Sequence, residues 1–253
     1  MKLGILISAR LGSIRLKEKH FLEVNGQPVL HYLIARIARE FGCEIQSGSA
    51  SVIIATTEES ENKRFEVFQE AGTSTFYGSR TNIPRRHLQA AERHSLDGIV
   101  AVDGDDILCS VRAMRCVYEA LCSSREYVRT VGLPLGMNCF GYSEAFLKRS
   151  VTADQSGTLE TGWARIFDEA AVTEIRMSLP ECGNSLRFTM DYEEDYQFFS
   201  DVIGALGEEI YEASDEQIVN TVIDGKLFEA NESVATEYWE NFRRNMDEER
   251  LSS

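Results

Sequence analysis

Short apolar runs recur along the first half of this chain, each followed by a stretch with helical spacing, and that rhythm limits the fold more than any other feature. Residues 3–9 form the first run, rich in Leu and Ile and ending in small residues; 51–57, 73–77, 98–102 and 127–133 follow. Runs this short and this continuously apolar suit strands buried on both faces of a parallel sheet. Between them Leu30, Leu33, Ile34 and Ile37 recur at helical spacing behind Pro28, a residue suited to a first helical turn. Residues 59–71, 84–94 and 111–122 read as further helices, the first stopped by Gly72. This alternation predicts an α/β fold, a mostly parallel sheet with helices on both faces.

Beyond about residue 135 the rhythm breaks. A small irregular lobe is expected over 135–185, with strands at 172–177 and 186–190. Helices are expected at 195–206, 215–223 and 234–250, so that 207–253 form an acidic helical extension whose last helix carries Tyr238, Trp239 and Phe242. All 253 residues read as one domain.

The net charge of −15 speaks against a nucleic-acid or membrane surface. Nearly all of it sits at one end: residues 181–253 carry 19 Asp/Glu against 5 Lys/Arg. In the near-neutral remainder cations gather twice, at Arg10, Arg15, Lys17 and Lys19, and at Arg80, Arg85 and Arg86. Local cations in an acidic protein suit an anionic small ligand. Cys43, Cys109, Cys116, Cys122, Cys139 and Cys182 form no C-x-x-C pair and predict reduced thiols. No stretch approaches the roughly 18 apolar residues of a membrane helix. The first apolar run breaks at Arg10, so a cytoplasmic chain is expected.

Open α/β sheets bind ligands beyond the carboxyl ends of their strands, and three clusters fall there. The first is Ser8-Ala9-Arg10-Leu11-Gly12-Ser13-Ile14-Arg15-Leu16-Lys17-Glu18-Lys19. Its small residues let backbone approach a phosphate and its cations neutralise one. It is neither G-x-G-x-x-G nor G-x-x-x-x-G-K-[ST]. The second is Val102-Asp103-Gly104-Asp105-Asp106. Crowded carboxylates call for a cation, and oxygen donors without His or Cys favour Mg²⁺ or Mn²⁺. An EF-hand fails, because Leu108 and Met114 stand where that loop needs Gly and Glu. A glycosyltransferase D-x-D pair (Asp103, Asp105) and a helix-capping turn both fit. The third cluster, Phe188-Thr189-Met190-Asp191-Tyr192-Glu193-Glu194-Asp195, has Asp191 at an expected strand-to-helix junction. It either caps the helix in a capping box with Glu194 or joins Asp105 at a metal. His20, His31, His87 and His94 lack metal-ligand spacing and no G-x-S-x-G occurs, which sets aside zinc hydrolysis and serine acyl transfer.

In this order the clusters resemble the CMP-sugar synthetases: the 3-deoxy-manno-octulosonate and acylneuraminate cytidylyltransferases and their spore-coat polysaccharide relatives. S-A-R-L-G-S-I-R-L-K-E-K-H is similar to the family loop A-R-x-x-S-x-R-L-P-x-K. Gly26-Gln27-Pro28-Val29-Leu30, Val52-Ile53-Ile54-Ala55-Thr56-Thr57, Gly104-Asp105, and Thr189-Met190-Asp191 with Glu194-Asp195 follow in family order. Tyr77-Gly78-Ser79-Arg80 is similar to the stretch that helps hold cytosine.

The resemblance implies a Rossmann-like nucleotide-diphospho-sugar transferase fold. It implies CTP and an acidic 2-keto sugar as substrates, Mg²⁺ or Mn²⁺ as cofactor, and a homodimer. It implies that Ala9, Arg10, Ser13, Lys19, Ser79 and Arg86 contact the nucleotide, with Arg85 the alternative to Arg86. Asp105 and Asp191 would bind the metal and, with Arg10 and Lys19, form the catalytic set; losing either aspartate is expected to cost rate far more than stability. Lys17 and Ile107 replace two family prolines, and the sugar-binding segments near Asn138, Tyr142, Glu160 and Arg187 are the least family-like. A D-x-D glycosyltransferase and a non-catalytic nucleotide-binding descendant are the competing readings.

Overall fold

The apolar runs become strands nearly where their periodicity puts them. The computed structural model describes residues 1–154, 157–179 and 186–251. Its strands are β1 (Leu3–Ser8), the hairpin arms β2 (Glu23–Val24) and β3 (Gln27–Pro28), β4 (Ala50–Thr57), β5 (Ser74–Gly78), β6 (Gly98–Asp103), β7 (Tyr127–Val131), β8 (Phe140–Ser143) and β9 (Val172–Arg176). The α-helices are α1 (Val29–Glu40), α2 (Gly42–Ser47), α3 (Ile83–His94), α4 (Val111–Cys122), α5 (Glu144–Ala153), α6 (Glu193–Leu206), α7 (Asp215–Asp224) and α8 (Ala235–Leu251). Ser60–Ala71, expected as an α-helix, is wound as a 3₁₀-helix.

Seven strands form one sheet in the order β5-β4-β1-β6-β8-β7-β9. β1 pairs in parallel with β4 and β6, setting Ser8 level with Ala55 and Asp103. The loops leaving these strands therefore open on one edge. Alternate side chains of β1 enter different cores: Leu3, Ile5 and Ile7 pack with α1, α4, α6 and α7, and Leu6 with α3 and α5. Burial of each such side chain stabilises the fold by about 1.5–3 kcal/mol, and because both faces are covered, the strands read as continuous apolar runs.

The expected lobe at 135–185 is corrected. β8 enters the main sheet antiparallel between β6 and β7, and β9 extends it. β8 is only four residues long and holds Gly141, too little for a periodic signal. The strand expected at 186–190 is absent. Phe188 N–H donates to the Leu135 carbonyl (2.7 Å) and Met190 N–H to the Asp105 carbonyl (3.0 Å), so single bonds to loops carry this segment past the end of β6. Cys43, Cys109, Cys116, Cys122 and Cys139 are free thiols; Cys182 lies outside the described residues.

Gly136 lets the two segments cross. Its φ is +86°, and a Cβ there would fall on the Phe188 carbonyl. Gly136→Ala is expected to cost about 1–3 kcal/mol, read from the urea midpoint; an unchanged midpoint refutes this account of the crossing.

Candidate active site

The turn after β6 is pressed against the end of β1. Gly104 N–H donates to the Ser8 carbonyl at 2.8 Å, and a Cβ on Gly104 would come within 2.9 Å of that oxygen. With residues 186–191 crossing the same edge, three sequence-distant loops enclose a cleft of about 620 Å³, in the size range of small-ligand sites. Ala9, Arg10, Ser13, Lys19, Arg86, Asp105 and Asp191 all line it.

Lys19 is buried, and its Nζ lies 2.6 Å from Asp105 Oδ2 and 3.1 Å from Asp191 Oδ1. Arg15 donates to the same Asp191 oxygen at 2.8 Å, and Arg187 to Asp191 Oδ2 at 3.3 Å. Burial alone would raise the Asp191 carboxyl; Lys19, Arg15 and Arg187 outweigh it and hold the group well below the usual carboxylate range. Burial likewise opposes the charge on Lys19, but Asp105 and Asp191 raise its pKa. For Asp103 the balance falls the other way: burial, then the charge of Asp105, outweighs the pull of Lys19 and a hydrogen bond from Trp163 and pushes it up to about 7. Burial and the charges of Asp105 and Asp103 also raise Asp106.

The helix cap differs from expectation in a way that frees Asp191 for the cleft. Asp195, not Glu194, accepts from the backbone N–H groups of Asp191 (2.9 Å) and Tyr192 (3.1 Å). Asp195 also takes Arg187 Nε at 2.9 Å. The turn at 103–106 caps no helix either, since Ser110 caps α4.

A second charged group forms around Glu160, whose carboxylate lies 2.7 Å from Arg86 Nη2 and 3.4 Å from Arg10 Nε. Burial raises the Glu160 pKa against the pull of Arg86 and Arg10. Arg86 is buried and Arg85 exposed. Ile83, Arg86, His87 and Ala90 share one buried helical face, a spacing in the sequence that separates the two arginines. Ser79 lies outside the cleft lining; its carbonyl accepts from Arg86 Nε at 2.8 Å.

The helix expected at 234–250 is present as α8, but sequence reasoning missed its place in the cleft wall. Tyr238, Trp239, Phe242 and Asn245 line the cleft. The Arg187 guanidinium sits 4.0 Å from the Tyr238 ring centroid, and Thr161 N–H donates to Glu249 at 2.8 Å. The helix thus spans from the Asp191 cluster to the Glu160 loop. Its signal was the aromatic residues at 238, 239 and 242, which recur at helical spacing.

Among the described residues no three His, Cys, Asp or Glu side chains converge as a metal cage. The Asp105–Asp191 pair still fits a hard cation, because Mg²⁺ is commonly held by one or two carboxylates together with substrate phosphates and water. The Asp105 side chain keeps 25% of its surface open.

A parallel sheet with a cationic loop and paired carboxylates beyond its strand ends defines an α/β protein built to hold a small anionic ligand. The chain belongs to the cytidylyltransferase family, whose model matches residues 4–161. It is 30% identical over 140 residues to an uncharacterized protein of Methanocaldococcus jannaschii, covering 54% of this chain and 55% of that one. It is 27% identical over 176 residues to a 3-deoxy-manno-octulosonate cytidylyltransferase of Pectobacterium carotovorum, covering 68% and 64%. The chain thus spans less than two thirds of these curated relatives. A cytidylyltransferase structure from Leptospira borgpetersenii superposes with a TM-score of 0.78 at 23% identity, over 91% of this chain and 98% of that one. A CMP:2-keto-3-deoxy-manno-octonic acid synthetase complexed with CTP superposes at 0.57 with 13% identity, over 81% and 99%. At these identities the structural likeness establishes the shared Rossmann-like fold.

Proposed function

We propose that this protein transfers the CMP group of CTP to an acidic 2-keto sugar, of ulosonic or nonulosonic type, and releases pyrophosphate. The observation that carries the reading is the meeting of Asp105 and Asp191 across Lys19 in a cleft also lined by Arg10 and Arg15. Family membership and the activities named for two relatives support it.

In this reading Arg10, Ser13 and Lys19 hold the triphosphate, with Ala9 leaving room for backbone contact. Arg10 and Lys19 offset the charge that spreads over the phosphoryl oxygens as the sugar hydroxyl attacks the α-phosphorus. Arg86 orders Glu160 and the Ser79 carbonyl at the nucleotide side. Asp105 and Asp191 supply the oxygen donors for Mg²⁺ or Mn²⁺, which when bound activates the attacking hydroxyl and offsets the leaving charge. Lys17 and Ile107 replace prolines without removing a charge. A homodimer, a cytoplasmic location and a role in surface polysaccharide synthesis belong to the same proposal.

The test is pyrophosphate release from each nucleoside triphosphate with Mg²⁺ against a panel of 2-keto sugar acids. Release with CTP and one acid is the expected result. Glycosyl transfer from a nucleotide sugar without pyrophosphate, or CTP binding with no turnover on any acid, overturns it.

A further inference from the structure

Behind the cleft floor runs a buried chain of hydroxyl and imidazole groups. Ser8 Oγ, at the end of β1, lies 2.8 Å from His87 Nε2 on α3. His87 Nδ1 lies 2.5 Å from the Tyr142 hydroxyl on β8. His87 and Tyr142 have no exposed surface, and the Trp163 ring meets both edge-on. Burial, reinforced by the charge of Arg86, lowers His87 to about 3, so the ring is neutral at ordinary pH. A neutral imidazole has one donor and one acceptor, which leaves two proton orders.

In the first, Ser8 donates to Nε2 and Nδ1–H donates to Tyr142. The phenolic proton is then stranded, because His87 is the side-chain partner of that hydroxyl among the described residues. In the second, Tyr142 donates to Nδ1 and Nε2–H donates to Ser8 Oγ, and every buried group is satisfied. An orphaned buried donor is disfavoured, so the second order holds. The Ser8 proton is then directed into the cleft that Ser8 lines.

We propose that Tyr142 and His87 are positioning residues that fix Ser8 as a hydrogen-bond donor to the pyrimidine ring of the nucleotide, at its O2 or its unprotonated N3. The proposal rests on the nucleotide reading above. In that reading the phosphates go to Arg10, Ser13 and Lys19. Ser8 instead adjoins α3 through His87, and Ile83 of α3 and Ala9 next to Ser8 supply apolar lining for a flat uncharged ring. Cytosine offers two adjacent acceptors on one edge, which match a single outward donor.

Calorimetric titration of CTP and of inorganic tripolyphosphate into wild type, Ser8→Ala, Ser8→Thr and Tyr142→Phe tests this. Ser8→Ala is expected to bind CTP about tenfold more weakly, Ser8→Thr to bind like wild type, and Tyr142→Phe to weaken CTP in the same direction with Ser8 untouched. Tripolyphosphate affinity is expected to be equal in all four. Unchanged CTP affinity in Ser8→Ala or Tyr142→Phe overturns the proposal, as does an equal loss for both ligands, which marks a distorted loop. Wild type that takes up no CTP removes the nucleotide reading itself, an outcome separate from these.

Discussion

Asp191→Ala is expected to lower the stability of the fold by about 3–5 kcal/mol and to abolish nucleotide transfer, whereas Asp105→Ala is expected to slow transfer about a thousandfold and leave folding nearly intact. The difference comes from what each carboxylate holds. The Asp191 side chain is 6% exposed and faces Lys19, Arg15 and Arg187. Removing it takes from Arg15 its carboxylate partner and leaves Lys19 with Asp105 alone and Arg187 with Asp195 alone, so three clustered cations lose one shared charge at once, which costs more than a single pair contributes. Asp105 is 25% exposed and engages Lys19 alone among the described cations, and Lys19 keeps Asp191 when Asp105 is gone. The expectation that either loss falls mainly on rate is thus kept as a prediction for Asp105 and changed for Asp191, whose side chain is far more buried. Urea unfolding and pyrophosphate release on the two variants separate the effects. Equal stability losses, or normal turnover by Asp105→Ala, would contradict this assignment.

Acidification is expected to destabilise the protein through His87 well before most carboxylates protonate. Burial and then Arg86 hold the folded imidazole at about 3, while in the unfolded chain it titrates near the ordinary value of about 6.5. Between those values the unfolded chain binds a proton that the folded chain refuses. Stability is therefore full above about pH 6.5 and declines as pH falls toward 3. One unit of separation corresponds to about 1.4 kcal/mol, so the decline from this one ring reaches roughly 3 kcal/mol by pH 4. Burial and then Lys19 lower His20 to about 4, which acts in the same direction. His87→Gln keeps polar contacts but cannot titrate. Its urea midpoint is expected to fall less between pH 7 and pH 4 than that of wild type; parallel declines would remove His87 as the cause.

The legible part of the fold was the part written in local periodicity. β1, β4, β6, α3 and α4 lie within about a residue of their expected bounds because each is an apolar run or stripe of full length. The clusters at 8–19 and 103–106 could be placed at strand ends for the same reason, whereas 189–195 follows a run that forms no strand. Other features had no local signature. β8 is held by its neighbours rather than by its own pattern. Residues 186–191 look like a strand in composition but are threaded between loops. The basic loop advertised phosphate affinity, yet which of its cations turn inward onto carboxylates depended on Asp105 and Asp191 arriving from elsewhere. The aromatic residues of α8 were visible, but not the wall they line.

The span between those partners sets an order of events in time. Asp191 meets Lys19 across 172 residues and Arg15 across 176, while β1, β4 and β6 pair over far shorter separations. Contacts between distant parts of a chain bear the loop-closure entropy before any reward arrives, and they form late. Refolding is therefore expected to pair β1, β4 and β6 before Lys19 and Arg15 find Asp191, so that the passage of residues 186–191 over the sheet edge completes the site last.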